Sequence, residues 1–291
     1  MKVLFIAHGA KRRVTKILEC LESLYLPTMG EWQTSYTSCK GDASRIVREI
    51  GPGHNLVVGI GGDGIINEIV NGLMRLKDRP ALAIIPAGSG NDFARSSGFH
   101  ISLEKFVGAL QEPSFRAIDV GIISYESSEE YFINIADTGL GPEAVKRVER
   151  FPRWVPASLK FNLAILRTFI SYKKPAIACE GENFKWRDRC MLVAMANGRS
   201  FASGLIIAPD AQLDDGLFDI ILVGEVSILT YIKFLPKIKK GEKINHPKVC
   251  YQQSSWVELS GLSSIEKDGE SGRRLPARVE VVKEGVRVLV G

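Results

Sequence analysis

The stretch Gly59-Ile60-Gly61-Gly62-Asp63-Gly64 decides how the first half of the chain is interpreted. It follows Asn55-Leu56-Val57-Val58, a short apolar and β-branched run that predicts a buried strand. After it, residues 65–74 show apolar side chains at helical spacing, which predicts a helix with one buried face. These apolar side chains are Ile66, Ile69, Val70 and Leu73.

A strand, a glycine turn and a helix start are together typical of a phosphate-binding site. Glycine lets the backbone approach oxygen atoms that a Cβ would block, and the free N–H groups of the first helical turn point at the anion. Asp63 places a carboxylate where phosphate would lie, so it requires a cation, most simply Mg²⁺ on a nucleotide. A tight strand-to-helix turn with Asp63 as N-cap is the alternative. The stretch alone leaves both open.

Size and composition restrict the class of protein. The 291 residues are enough for one large or two ordinary domains, and 45% hydrophobic with 24% charged residues is ordinary for a globular protein. A net charge of +5 is too weak to indicate nucleic acid, but it suits an anionic ligand or membrane surface. The five scattered cysteines form no CxxC pair and indicate reduced cytosolic thiols. No apolar run reaches the roughly 18–20 residues of a membrane span.

A second glycine-rich turn strengthens the prediction of a nucleotide site. The apolar run Ala81–Ile85 predicts a strand, and it leads into residues 86–95, a turn with hydroxyl, amide and carboxylate groups. Alternating strands and helices up to about residue 112 predict a parallel α/β sheet. Both glycine turns follow strands, so we expect them at the same carboxyl edge, where such sheets bind ligands.

After residues 117–123 strand-like runs dominate, which predicts a mostly antiparallel, sandwich-like or barrel-like second domain. The predicted strands are Ala117–Ile123, Tyr131–Ile135, Ala176–Cys179, Cys190–Ala196, Phe218–Val223, Trp256–Leu259 and Arg278–Val282. Two helical insertions interrupt them, at residues 146–174 and 228–244. Both are basic and contain aromatic side chains, so each either lies on an anionic bilayer or packs on the core with a solvated basic face.

These motifs together resemble the soluble bacterial diacylglycerol kinase family of lipid kinases, which is related to sphingosine and ceramide kinases. The resemblance covers nearly the whole chain. Its motifs are Gly61-Gly62-Asp63-Gly64 with Asn67-Glu68, residues 88–95, Asp119-Val120-Gly121, Asn134 with Gly139, residues 208–216, and Asp268-Gly269-Glu270. It implies an N-terminal parallel α/β nucleotide-binding domain at 1–119 and a C-terminal, mostly antiparallel β-sandwich domain for lipid at 120–291, whose last strand returns to the first domain.

The resemblance also implies roles for particular residues, with ATP in a cleft between the domains. The family's ATP-binding positions fall on Thr37, Gly61, Gly62, Asp63, Gly64, Ile65, Ile66, Asn67 and Ser89. Its Asp–Mg²⁺ network falls on Asp63, Asp92 and Asp119, and its proton acceptor falls on Glu270. A structural Mg²⁺ site falls on Gln212, Asp215 and Leu217, of which Gln212 and Leu217 act through backbone carbonyls. Asp268-Gly269 predicts a tight turn directly before Glu270. Without the resemblance, Glu270 is interpreted as a surface residue and residues 214–216 as a turn.

The chain departs from the family pattern at two places. Ile65 replaces a threonine and removes a hydroxyl near the phosphates, and the first turn reads Ala7-His8-Gly9-Ala10-Lys11, where Lys11 or Arg12 is left to reach a phosphate.

We therefore expect a cytoplasmic kinase, peripheral at the inner membrane face, that uses ATP and Mg²⁺ to phosphorylate a diacylglycerol-like alcohol. A kinase of a soluble substrate, as in NAD kinases, and a non-catalytic nucleotide- or lipid-binding protein are the alternatives. The lipid and the oligomeric state, including a homodimer, stay open.

Overall fold

A computed structural model of the chain describes residues 1–9, 12–24, 30–99, 102–148, 150–152 and 154–290, and it leaves undescribed the side chains at 12, 24, 104, 157 and 158. Contacts divide the chain into unit 1, Met1–Ile118 with Glu284–Gly291, and unit 2, Asp119–Lys283. The domain limits predicted from the sequence, 1–119 and 120–291, stay a prediction about independently folding parts.

Unit 1 alternates strands and helices, as the sequence predicts. In chain order its elements are β1 (Val3–His8), α1 (Arg12–Leu24), β2 (Trp32–Thr37), α2 (Asp42–Ile50), β3 (Leu56–Gly61), α3 (Asp63–Leu73), β4 (Ala81–Pro86), α4 (Asp92–Ser97) and α5 (Leu103–Gln111). The sheet order is β2-β1-β3-β4, and all three pairings are parallel.

The core of unit 1 lies on both faces of this sheet, because parallel strands with helical crossovers are covered on both sides. The α3 face predicted from helical spacing is buried: Ile66, Ile69, Val70 and Leu73 are at most 3% exposed. On α2, Val47 packs so closely on Gly72 of α3 that a Cβ added to Gly72 would lie 2.7 Å from the Val47 Cβ. The periodic pattern therefore predicted this helix and its buried side correctly.

Unit 2 is dominated by antiparallel strands. The first and the last strand of this part also contain residues of unit 1, and the remaining elements lie within unit 2. In chain order they are β5 (Ser114–Tyr125), β6 (Ser128–Phe132), β7 (Ile135–Gly139), α6 (Leu140–Val148), α7 (Ala157–Ser171), β8 (Ala176–Gly181), β9 (Phe184–Arg189), β10 (Leu192–Ala196), β11 (Ser200–Phe201), β12 (Leu205–Ile206), β13 (Phe218–Val223), α8 (Ile228–Lys240), β14 (Val249–Ser254), β15 (Trp256–Gly261), β16 (Ser264–Lys267), β17 (Glu270–Arg274) and β18 (Ala277–Val290).

The strands of unit 2 form a sandwich-like arrangement. One sheet has the order β14-β13-β10-β7-β16-β17. In the other sheet, neighbouring strands pair in the order β9-β8-β15-β18. One apolar cluster contains side chains of both sheets, for example Val193 of β10 and Val257 of β15, and both of these are fully buried. The predicted fold class, a parallel α/β part followed by a mostly antiparallel β-sandwich part, is confirmed.

Two details differ from the sequence prediction. The expected strand Tyr131–Ile135 is wrong, because β6 ends at Phe132 and β7 begins at Ile135. Six strands were not predicted: β9, β11, β12, β14, β16 and β17. The expected insertions contain helices: residues 146–174 include the end of α6 and all of α7, and residues 228–244 include α8. Within the described ranges, every helix is too short or too polar to cross a membrane.

Candidate active site

The first group of predicted site residues lies at the carboxyl edge of the parallel sheet in unit 1. The register pairs His8 with Thr37 and Gly61 with Pro86, so β1, β2, β3 and β4 end at the same edge. Thr37 is buried at the end of β2, and its carbonyl oxygen accepts the Gly9 N–H at 3.3 Å. The structure therefore brings the ends of β2 and β3 and both glycine turns to one edge, as the sequence predicts.

The two glycine turns contact each other through their backbones. A Cβ on Gly88 would lie 2.4 Å from the Gly62 Cα, and the Ala87 N–H donates to the Gly61 carbonyl oxygen at 2.8 Å. Asn91 closes the second turn: its Oδ1 accepts the Gly88 N–H and its Nδ2 donates to the Gly88 carbonyl, both at 3.0 Å. The packing of one turn on the other therefore leaves no room for a side chain at Gly62 or Gly88.

Asp63 is the first residue of α3, but its carboxylate serves the other turn. The N-cap of α3 is Gly62, which has no side chain, so the interpretation of Asp63 as N-cap is wrong. Asp63 Oδ1 instead accepts the backbone N–H of Phe93 at 3.1 Å, in the first turn of α4. This hydrogen bond places the Asp63 carboxylate beside the residue that follows Asp92.

Asp92 and Ser89 lie on the second turn. Asp92 begins α4 and is buried, with an Oδ1 3.9 Å from the Arg95 guanidinium. Arg95 itself donates to the Gly90 carbonyl oxygen. Ser89, between these glycines, is exposed. Asp63 and Asp92 are thus two carboxylates on contacting turns, an oxygen-rich arrangement of the kind that Mg²⁺ prefers.

The residues after Asp63 have different surroundings. Ile65 lies back over the end of β3, because a Cβ on Gly61 would be 3.1 Å from the Ile65 Cβ. Asn67 is buried and accepts a hydrogen bond from the Asn71 amide through Oδ1 at 3.1 Å. Ile66 is a core residue. Of these three predicted contacts to nucleotide, the half-buried Ile65 is at the turn itself, while Ile66 and Asn67 support the helix.

Two carboxylates that the sequence analysis did not single out as site residues hold the loop after Thr37. Glu68 accepts the N–H groups of Gly41 at 2.8 Å and Ala43 at 3.0 Å, at the N-terminus of α2. Asp42 accepts the Ser38 hydroxyl at 2.6 Å and the Ser38 N–H at 2.8 Å. The Ser38 hydroxyl holds the pKa of Asp42 well below its usual range. Lys11 lies outside the described residues, as does the side chain of Arg12.

In unit 2, Asp119 contacts the loop predicted to bind a structural metal. Its Oδ2 accepts the Gly216 N–H at 2.7 Å, and its own N–H donates to the Leu213 carbonyl at 2.7 Å. Asp215 Oδ1 accepts the Leu217 N–H at 3.0 Å, while Gln212 is exposed. Within the described part of the chain, no three His, Cys, Asp or Glu side chains cluster to hold a metal. A cation at this loop would therefore depend on carbonyl and water oxygens besides Asp215, a donor set that suits a hard cation.

Glu270 begins β17 directly after a two-residue hairpin turn. Asp268 and Gly269 have φ values of +48° and +84°, and Lys267 pairs with Glu270 across the turn. Two successive positive φ values define the tight turn that Asp-Gly favours, so the predicted turn is confirmed. Glu270 is half-buried at its end.

The carboxylate of Asp268 anchors this turn. Asp268 Oδ1 accepts the N–H groups of Asn134 and Ile135 at 3.0 and 3.1 Å, and Oδ2 accepts the Ile133 N–H at 3.0 Å. These N–H groups therefore do not join a strand ladder, which is why the predicted strand 131–135 is interrupted. Three fixed hydrogen bonds place the Glu270 turn on the sandwich.

Asn197 connects this turn to Asp119. Its Nδ2 donates to the Asp119 carbonyl at 2.9 Å and to the Ile133 carbonyl at 2.8 Å. Because the Ile133 N–H in turn donates to Asp268, one chain of buried hydrogen bonds links two predicted catalytic positions, Asp119 and the Glu270 turn. Sequence inspection could not find Asn197, since nothing in its neighbourhood marks it as more than a turn residue.

A second carboxylate pair lies in the core of unit 2 beside the Glu270 turn, since Glu266 Oε2 accepts the Gly269 N–H at 3.1 Å. Asp137 of β7 and Glu266 of β16 are cross-strand partners and are almost fully buried. Burial raises the pKa of Asp137 to about 7, and burial together with the Asp137 charge raises the pKa of Glu266. Gly141 leaves the room for this pair, because a Cβ there would be 1.9 Å from Asp137 Oδ1.

A parallel sheet with contacting acidic glycine turns, followed by an antiparallel sandwich that carries Asp119 and Glu270, is the two-part architecture of the diacylglycerol kinase-like and NAD kinase-like proteins. The diacylglycerol kinase catalytic domain family matches residues 2–123, and the YegS C-terminal NAD kinase beta sandwich-like domain family matches residues 134–290. The chain belongs to this bacterial diacylglycerol kinase family.

Individual relatives agree with this membership. A diacylglycerol kinase of Bacillus subtilis strain 168 is 29% identical over 270 residues, which cover 91% of this chain and 86% of the relative. Among solved structures, a protein of Bacillus anthracis strain Sterne has a TM-score of 0.78 at 22% identity, covering 100% of this chain and 96% of the other. A diacylglycerol kinase structure from the same strain has a TM-score of 0.73 at 19% identity, with coverage of 100% and 96%, which shows the shared fold.

Proposed function

We propose that this member of the family is an ATP- and Mg²⁺-dependent kinase that transfers the γ-phosphoryl group to the hydroxyl of a diacylglycerol-like lipid. The observation that carries the proposal is the pair of contacting glycine turns in unit 1, with Asp63 and Asp92 at the two helix starts. Phosphoryl transfer depends on positioning and on cations that neutralise phosphate charge, and this edge offers backbone N–H groups for phosphates beside carboxylates for a cation.

In this proposal unit 1 binds the nucleotide. The turn of Gly61, Gly62 and Gly64 would contact phosphate oxygens, and Thr37 and Ser89 would add hydroxyl groups from the neighbouring strand ends. Mg-ATP would supply the phosphoryl group and the neutralising cation. The side chain of Ile65 over Gly61 supplies no hydroxyl, so we expect the backbone to carry the phosphate contacts that a threonine would otherwise share.

Unit 2 would supply the proton acceptor and the lipid surface. Glu270 would accept the proton of the lipid hydroxyl, because its carboxylate is placed by a tight turn that Asp268 anchors. Asp119 would join the Asp–Mg²⁺ network, and its carboxylate already holds the loop that contains Asp215. In that loop Gln212, Asp215 and Leu217 would hold a structural Mg²⁺. Basic helices α7 and α8 would rest on an anionic membrane surface, which makes the protein peripheral.

The test is transfer of the γ-phosphoryl group from Mg-ATP to a panel of lipid alcohols in mixed micelles, with NAD as a soluble acceptor, read by mass spectrometry. Diacylglycerol, ceramide and sphingosine are the lipid acceptors. A new lipid phosphate, formed only with Mg²⁺, supports the proposal and identifies the acceptor. Phosphorylation of NAD alone would instead indicate a kinase of a soluble substrate, and ATP binding with no product would indicate a binding protein.

A further inference from the structure

A cavity in unit 2 is lined by three arginines. Its volume is about 400 Å³, and the lining residues are Arg147, Arg150, Phe151, Pro152 and Arg167. Among these described lining residues none is acidic. Three guanidinium groups around one space repel one another, and an anion between them would remove that cost.

Two of the guanidinium groups are held in place by the protein. Arg147 Nη2 donates to the Ser171 hydroxyl at 2.6 Å, and the Arg167 guanidinium lies over the Phe151 ring at 5.4 Å from its centroid. Neither contact neutralises the positive charge. Each guanidinium keeps further N–H donors, which are suited to bidentate recognition of phosphate.

The apolar side chains next to the cavity indicate where such an anion comes from. Trp154, two residues beyond Pro152, is 83% exposed, and Ile170 on α7 is 80% exposed. Ile170 and Ser171 follow Arg167 by three and four residues, so they lie on the same side of α7 as the cavity. Large exposed apolar side chains beside a cationic pocket are typical of a surface that enters a bilayer interface, where headgroup phosphates lie beside acyl chains.

We infer that this cavity binds the phosphate of an anionic lipid headgroup, with Arg147, Arg150 and Arg167 as ligands and Trp154 and Ile170 in the bilayer interface. Because three cations face one space, a phosphomonoester headgroup, which carries more charge than a phosphodiester, is preferred. The inference concerns binding alone and does not depend on kinase activity, so it can fail while the proposed function stands.

The experiment measures binding to phosphatidylcholine vesicles that contain either phosphatidate or phosphatidylglycerol, adjusted to equal surface potential, without ATP. The wild type is compared with Arg147→Gln/Arg167→Gln. The matched control is Lys185→Gln/Arg187→Gln, which removes the same charge from two exposed positions on β9. We expect wild type and control to prefer phosphatidate by about 10-fold, as charge-assisted bonds to the additional phosphate charge would give, and the arginine variant to lose the preference.

Equal binding of the wild type to both vesicles, or the same loss of preference in the control, would overturn the inference. Glycerol 3-phosphate in solution is the third arm: if it displaces the protein at the same phosphate concentration as the lipid, the site takes free phosphate and the lipid assignment is wrong. Thermal unfolding checks that the variants fold. If the double variant does not, Arg150→Gln, at an exposed position, must still reduce the preference by several-fold.

Discussion

The exchange Asp268→Asn separates the placement of the Glu270 turn from the chemistry of Glu270. Asparagine tolerates the positive φ of +48° at this position, so the turn itself is retained. The carboxylate now accepts three backbone N–H groups through two oxygens. An amide has one acceptor oxygen, and its NH₂ group must face at least one of those buried N–H groups.

The expected cost follows from these bonds. A hydrogen bond to a charged group contributes about 1.5–3 kcal/mol, and leaving a buried N–H without an acceptor costs about 1–3 kcal/mol. Since the amide can keep one or two of the three bonds, we expect the free energy of unfolding to fall by about 2–4 kcal/mol. Turnover should fall as well, because Glu270 follows the turn, while ATP affinity, which we assign to unit 1, should stay within about 2-fold.

Urea unfolding followed by circular dichroism measures the first quantity, and kcat with the ATP Kd measures the others. The control is Asp78→Asn, the same change at an exposed position, which should alter stability by less than about 0.5 kcal/mol. If Asp268→Asn is as stable as this control, the three hydrogen bonds do not anchor the turn. If ATP affinity collapses instead, the assignment of nucleotide to unit 1 is wrong.

Three further predictions concern the two units. Gly88→Ala should lower the free energy of unfolding by about 1–3 kcal/mol in urea, because its Cβ would lie 2.4 Å from the Gly62 Cα; unchanged stability would show that the turns do not need this contact. Glu68→Gln leaves one acceptor oxygen for two N–H groups of the α2 N-terminus, so hydrogen exchange at residues 41–43 should accelerate, and unchanged exchange would contradict this role. The pKa values of Asp137 and Glu266 are raised in the folded state, so folding binds protons that the unfolded chain has already released. The free energy of unfolding should therefore fall as pH rises from about 5 to 8. Asp137→Asn/Glu266→Gln should flatten that decline, and an equally steep decline in the variant would refute the role of this pair.

Local patterns were sufficient for the parallel sheet. The run from Asn55 to Met74 contains a buried strand, a glycine turn and an amphipathic helix, and each of these signals depends only on neighbouring residues. The buried face of α3 and the common edge of the two glycine turns follow from it. The Asp-Gly turn before Glu270 was also visible, because two residues with positive φ have a narrow choice of side chains.

The rest depends on contacts between distant residues. Strand β9 has the sequence Phe-Lys-Trp-Arg-Asp-Arg. Its charged residues interrupt any apolar run, so the sequence does not indicate that this segment pairs with β8. Asp137 and Glu266 lie opposite each other because of the register between β7 and β16, which no local sequence pattern predicts. The same holds for Asp63, whose bond to Phe93 spans 30 residues, and for Asn197, whose partners are 64 and 78 residues away.

The most direct test of the proposed chemistry is the rate of phosphoryl transfer to diacylglycerol by Glu270→Gln, measured beside wild type and the exposed control Glu126→Gln. Loss of the proton acceptor should lower kcat by about 10²–10⁴-fold, with the ATP Kd unchanged and the control equal to wild type. A Glu270→Gln enzyme that turns over within a few fold of wild type would contradict the account, because the hydroxyl proton would then leave by another route.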